Sequence, residues 1–465
     1  MELPRSVAKD RWRIILPRRK GSELLVLPEG PRECLPNLEI PSNTRLAEQL
    51  NETIKRTWGL ETISLFAPNV SFLPAPIPDI RYHVVELTRP NDPLPPGLQW
   101  VPFSSLSGTS FEDSRDFLVA QRVLQEFQQT THGAQDQPFA RPGWFRDLLL
   151  WTVDAITPWN LQVTGRFQQF TATPTFSLIR FETNGPAVWF KAVGPPNERE
   201  FLVTTTLAEI VPCRIPQLIA RRPEWNGWLS LEAAGTPLGD VDEFGPWKRA
   251  TLALAALQIE SVDHIPRLLR AGSRDARSAT LMGALDAFID RMTEMMRLQT
   301  KSSPAPLTGP ELLQLKRDMN IALVRFQELG LPDTLGHFDF NPTNVIVSKD
   351  DCVFLDWAEA YVGCPFFTFE YLSQFLRNAS PKVTDEDREL VRAYGLAWQS
   401  LLSPSVVHEA LLLSPLLAVF AYAVCSDTWT DAQRIQDPQV QAYLRTLTRR
   451  MNIEAKKAVP RCLPC

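Results

Sequence analysis

The stretch Leu335–Asp356, LGHFDFNPTNVIVSKDDCVFLD, gathers the side chains best suited to chemistry, and its reading decides the fold. Asp339 follows His337 by two residues, Asn344 comes five residues later, and Asp356 closes a second apolar run. Two short strand-like segments, Val345-Ile346-Val347 and Val353-Phe354-Leu355, are joined by the polar turn Ser348-Lys349-Asp350-Asp351. Paired as a hairpin, they bring Asn344, just before the first strand, and Asp356, just after the second, to the same end. Three oxygen-bearing side chains then converge on one spot.

Such a convergence suits a magnesium-bound nucleotide. Magnesium is a hard ion held by one or two carboxylates plus phosphate oxygens, so Asn344 and Asp356 are its natural holders and Asp339 is left to accept a proton. A lone His-x-Asp is common, and a lone Asp after an apolar strand usually marks a turn or a helix cap. Here the positions occur together and in order, followed by Gly363-Cys364-Pro365. The spacing His-x-Asp-x-x-x-x-Asn, then an apolar strand ending in Asp, resembles the catalytic core of the aminoglycoside phosphotransferase and choline kinase group, relatives of the protein kinases. The resemblance implies an α+β bilobal kinase-like domain with a small β-rich upper lobe and a helical lower lobe. It also implies Mg2+ and ATP (or GTP) as phosphoryl donor. Asp339 would orient and deprotonate an acceptor hydroxyl, Asn344 and Asp356 would hold the metal, and His337 would order the catalytic loop through hydrogen bonds to its backbone.

Upstream, residues 161–235 read as consecutive strands. Phe176–Phe181 alternates, Asn184-Gly185 is a hairpin turn, and Ala187–Val193 returns with Lys191 inside it. An ionised lysine in an apolar strand needs a counter-charge or a phosphate, because burying it unpaired costs several kcal/mol. The bland alternative is an edge-strand lysine facing water. Glu198 and Glu200 follow on a predicted helix, and Glu200 matches the position of the resembled family. The segment Gly165–Thr175 stands where a phosphate-covering loop belongs, with Thr171, Thr173 and Thr175 as candidates. A second hairpin, Pro216–Arg221 with Trp228–Leu231, leads to Leu231, Glu232 and Ala233, which the resemblance makes the hinge where main-chain groups meet the base.

Composition sets the frame. A chain of 465 residues, 44% hydrophobic and 22% charged, is a folded protein of two or three domains. A net charge of -5 gives no footprint for nucleic acid or an anionic membrane. Forty prolines against 21 glycines make the loops stiff. The N-terminus, MELPRSVAKDRWRIIL, lacks an apolar signal core, and the longest apolar run, Ala410–Cys425, holds Ser414 and Pro415 and reads as a buried helix. The expectation is a cytoplasmic protein without a membrane partner. Seven scattered cysteines fit reduced thiols, and the Cys462/Cys465 pair has no second pair with which to bind zinc.

Residues 1–132 read as an α/β domain. Strands are expected in residues 11–27, at Thr62–Phe66 and at Tyr82–Leu87, with helices at Thr44–Thr57 and Phe117–Phe127. With its LPEG and Trp58-Gly59-Leu60 landmarks this region is similar to the front of a Nudix-type domain. Its metal-binding acids are replaced by Thr53, Arg56 and Thr57, so it is expected to be catalytically silent. Residues 133–160 are a Pro/Gly-rich linker and a connecting helix, Trp144–Ile156, expected to pack between the two parts. From residue 236 to 465 the pattern is helical, and the basic stretch Arg449–Arg461 is expected to be a solvated tail. No nucleophile elbow, dinucleotide fingerprint or P-loop occurs. The reading is a small-molecule kinase acting on an alcohol. Its rival is a catalytically quiet pseudokinase-like regulatory protein that holds a nucleotide or metabolite.

Overall fold

A computed structural model of the chain describes residues 8–42, 45–73, 80–89, 91–129, 137–379 and 385–462. The first residues of the N-terminus, residues 133–136 of the linker and Cys465 lie outside them. The chain divides into two compact units, Met1–Phe201 with Leu218–Glu232, and Leu202–Gln217 with Ala233–Cys465.

The first unit holds two main sheets. One is four-stranded and mixed. In it Lys9–Ile15 lies between Asn37–Pro41, antiparallel to it, and Ile80–Leu87, parallel to it, with Thr62–Phe66 outside the latter. Helix Leu46–Trp58 covers one face with Leu50 and Ile54, and stops at Gly59 in the left-handed conformation. Where the Nudix-like pattern calls for acids, Thr53 is buried, and Arg56 and Thr57 are exposed. The other sheet has five strands, ordered Leu218–Arg222, Gly227–Leu231, Val188–Ala192, Ser177–Thr183, Val163–Ala172.

These two sheets share a core. Ile63, Leu65 and Val84 from the first, and Ile179, Phe181 and Phe190 from the second, belong to one buried cluster with Trp144, Phe145 and Leu148 of helix Trp144–Ile156. Phe145 lies 4.6 Å from Phe167, and Phe139 lies 6.0 Å from Phe190, ring centre to ring centre. A polar clasp adds to this. The buried Gln169 side chain accepts the Ser64 N–H at 2.8 Å and donates to the Ser64 carbonyl at 3.0 Å, as a neighbouring strand would.

The sequence reading took Gly165–Thr175 for a loop, but Val163–Ala172 is a strand and only Thr173–Phe176 turns. Thr171 pairs with Leu178 in the ladder. The Thr173 hydroxyl accepts the amides of Thr175 and Phe176 at 3.4 and 3.0 Å, so those amides are spent within the turn.

The second unit is mostly helical. Helices Phe244–Ser261, Ser278–Arg297, Gly309–Glu328, Pro365–Ala379, Asp385–Trp398, Pro404–Cys425 and Pro438–Cys462 contribute to one large core. Helix Pro404–Cys425 is long and apolar enough to cross a membrane by length and composition, and Leu413, Leu416, Leu417 and Phe420 on it are fully buried in that core. The expected basic tail is helix instead. Arg449–Arg461 continues the last helix, and Met451, Ala455, Ala458 and Val459 bury one of its faces. The four-residue steps among these apolar positions outweigh the charges on the opposite face.

Candidate active site

Two short sheets in the helical unit build the stretch from Thr334 to Asp356. Thr334–His337 runs antiparallel to Ala360–Gly363, which also pairs with Arg274–Ala276. Gly336 is required here. A Cβ would sit 2.0 Å from the Tyr361 ring, so no other residue can precede His337 without displacing it. The second sheet is the hairpin read from the sequence. Val345–Val347 pairs with Cys352–Phe354, and the Leu355 N–H donates to the Asn344 carbonyl at 2.8 Å, which brings Asn344 and Asp356 to one end. Thr236–Pro237 flanks this hairpin. The adjoining Gly235 has φ +136°, and a Cβ there would meet the Val347 carbonyl oxygen at 2.4 Å.

His337 is the buried keystone of the loop. Its Nδ1 accepts the Asp339 N–H at 3.1 Å, and its Nε2 faces the Leu355 carbonyl at 3.1 Å, which assigns the proton to Nε2. Burial pushes the imidazole below its ordinary pKa, and the Leu355 carbonyl, Asp356 and Asp339 partly oppose this. Its own N–H is held by the Thr368 hydroxyl at 2.8 Å. One imidazole therefore ties the start of the loop to the end of the hairpin.

Asp339 is half-buried, with its carbonyl bound by the Asn341 N–H at 2.8 Å and by Asn344 Nδ2 at 3.1 Å. Because the Asn344 amide nitrogen is committed to that carbonyl, its oxygen is the acceptor end of the side chain that stays available. Asp356 sits at φ 61°, ψ 63°, a left-handed conformation uncommon for a non-glycine residue and concentrated at working sites. The donor set is an amide oxygen and a carboxylate at one end of a hairpin. Both are hard oxygen ligands, which fits magnesium and not a thiolate-seeking metal.

In the first unit, Lys191 reaches Glu200 at 2.6 Å, with side chains 15% and 2% exposed. Glu200 lies in the first turn of helix Arg199–Ile210, where a negative charge is favoured. Removing one partner of a pair this buried costs about 3–5 kcal/mol. The expected hinge is more constrained than its sequence suggests. Glu232 accepts a two-pronged Arg180 contact at 2.6 and 2.9 Å and the Trp189 indole at 3.1 Å, and the guanidinium holds its carboxyl below the ordinary range. Its N–H is given to the Ala187 carbonyl at 2.8 Å, so that amide is not offered to a ligand. The two compact units divide between Glu232 and Ala233. The structure thus brings Lys191 together with Glu200 in one unit, and His337, Asp339, Asn344 and Asp356 in the other.

Sequence reading missed Tyr371, whose hydroxyl donates to Asp339 Oδ1 at 3.2 Å. It also missed Asn341, whose side chain caps the turn Pro342–Asn344 by accepting the Thr343 N–H at 3.0 Å. The Asn-Pro step was a readable turn signal for Asn341. Tyr371 stands in the aromatic run FFTFEYLSQF, where nothing sets it apart.

The fold is of the protein-kinase-like class, with a β-rich portion that bears the Lys–Glu pair and a helical portion that bears the His337–Asp356 stretch. Residues 250–402, which include that stretch, match the model of the phosphotransferase enzyme family. Over those residues the match bears out the phosphotransferase resemblance read from the sequence. Similar solved structures include choline kinase from Cryptosporidium parvum Iowa II (13% identity, TM-score 0.45, 68% of this chain and 97% of that one). They also include an ethanolamine kinase from Plasmodium vivax (14%, 0.43, 78% and 92%). A third is macrolide 2'-phosphotransferase MphH from Brachybacterium faecium (13%, 0.41, 65% and 98%). No curated protein matches the chain.

Proposed function

We propose that this chain transfers the γ-phosphoryl group of ATP or GTP to the hydroxyl of a small molecule. The observation that carries the reading is the loop itself. The main chain of Asp339 is fixed by His337 and Asn344, and a hairpin sets Asn344 and Asp356 side by side. In this reading one carboxylate oxygen of Asp339 takes the proton of the acceptor hydroxyl. The acceptor oxygen forms its bond to the γ-phosphorus as the bond to the β-bridging oxygen breaks, and the nucleoside diphosphate leaves. Asn344 and Asp356 would hold Mg2+, which supplies charge neutralisation on the phosphates when bound. Lys191, steadied by Glu200, would meet the phosphates, and Leu231 to Ala233 would meet the base, with Ala233 offering the contact that Glu232 does not. Positioning and electrostatics dominate such a reaction, so each group matters strongly.

Cys34, Cys213, Cys352, Cys364 and Cys425 are free thiols, which suits a cytoplasmic enzyme. The test is a screen of alcohols, amino alcohols and sugars with γ-labelled ATP and GTP, in which at least one acceptor becomes labelled in a magnesium-dependent way. Nucleotide binding without transfer to any acceptor or to water would favour a regulatory role instead.

A further inference from the structure

The main chain at Asp339 is fixed at both of its polar groups, by His337 on the N–H and by Asn341 and Asn344 on the carbonyl. The direction of the carboxylate is a separate matter, because side-chain torsions lie between that main chain and the reacting oxygens. Among the described residues the carboxylate receives one hydrogen bond, from the Tyr371 hydroxyl to Oδ1 at 3.2 Å.

Tyr371 is itself well held. It sits on helix Pro365–Ala379 three residues after Thr368, so the two side chains share a face. Thr368 grips the His337 N–H, and one helix face thereby touches both ends of the His-x-Asp unit. The Tyr371 ring packs edge-on against Phe375, with centres 5.4 Å apart. Burial and the adjacent Asp339 charge keep the phenol protonated well above its ordinary range, so it remains a donor.

We propose that Tyr371 is a positioning residue: its hydroxyl occupies Oδ1 of Asp339 and so presents Oδ2 to the acceptor hydroxyl. The proposal rests on the reading of Asp339 as proton acceptor. A phenol donor suits the role, because a lysine or arginine in the same place would neutralise the carboxylate and weaken it as a base. Without the tyrosine the carboxylate keeps its charge and loses its aim. Well-aimed groups account for a large part of catalysis in reactions of this kind.

The experiment measures Mg-ATP turnover by the full chain, with water as acceptor until a better one is found. Tyr371→Phe removes one oxygen and keeps the ring. A hydrogen bond to a charged group contributes about 1.5–3 kcal/mol, so kcat is expected to fall ~10- to 100-fold. KM for ATP and the melting temperature should stay near wild type. In an Asp339→Ala background, where no carboxylate remains to be aimed, adding Tyr371→Phe should change kcat less than twofold. A merely structural tyrosine would give the same loss in both backgrounds and would overturn the proposal, as would wild-type kcat in Tyr371→Phe alone. If Asp339→Ala itself retains normal turnover, or the wild-type chain turns over neither Mg-ATP nor Mg-GTP, the proposed function falls and this inference with it. A large loss in Asp339→Ala beside an unimpaired Tyr371→Phe removes the tyrosine's role alone.

Discussion

His337 in the candidate active-site loop and His83 in the mixed sheet are equally buried, at 1% exposure each, and their surroundings are opposite. Both ring nitrogens of His337 are engaged by main-chain groups. Neither ring nitrogen of His83 has a hydrogen-bond partner among the described residues, and the ring rests edge-on against Trp12 at 5.9 Å. Burial lowers both pKa values, but His83, with nothing to oppose it, is held down at about 3. Burial alone thus says little about a histidine. In one region the imidazole organises a backbone that presents a carboxylate, and in the other it fills an apolar face as a neutral ring.

Substitutions on the two sides sharpen that contrast. The largest effect is expected in the region His337 organises. Asp339→Asn should leave nucleotide affinity near wild type and lower turnover by about two to four orders of magnitude, the range for a lost general base, as steady-state kinetics would show. Next comes His337→Leu, which leaves the Asp339 N–H and the Leu355 carbonyl unpaired. At about 1–3 kcal/mol for each orphaned group, a stability loss of ~2–6 kcal/mol is expected by denaturant titration, with turnover falling alongside.

A pH effect should come from the other histidine. The folded His83 stays neutral down to about 3, whereas the unfolded chain takes up a proton below its ordinary value of 6.5. Between those values the unfolded state binds more protons, so stability is fully present above 6.5 and is lost as the pH falls. By pH 5 this amounts to about 2 kcal/mol, read as the difference between wild type and His83→Leu in the change of stability from pH 8. The smallest effect is that of His83→Leu itself near neutral pH. Exchanging an unpartnered polar ring for an apolar side chain should alter stability by no more than ~1 kcal/mol, in either direction. A loss as large as that for His337→Leu would erase the contrast.

The same two regions show how far a sequence carries. The hairpin after Asn344 was legible because two apolar triplets flank a polar turn, and most helices of the second unit were legible because their apolar faces repeat at helical spacing. Strand Val163–Ala172 was not. Gln168, Gln169 and Gly165 break its apolar alternation, and the reason Gln169 can be buried, its clasp on Ser64, lies 105 residues away. The last helix was misjudged because the charges of Arg449–Arg461 hide a narrow apolar stripe. Tyr371 illustrates a third limit. Its role depends on which face of an aromatic helix meets Asp339, and composition does not encode that choice.

The central claim is that Asn344 and Asp356 hold the magnesium of a bound nucleotide beside Asp339. Calorimetric titration of ATP, with and without Mg2+, into wild type and Asp356→Ala tests it most directly. Wild type should bind ATP more tightly when magnesium is present, and the variant should bind it equally with and without the metal. A variant that keeps the full magnesium dependence of the wild type would contradict the account.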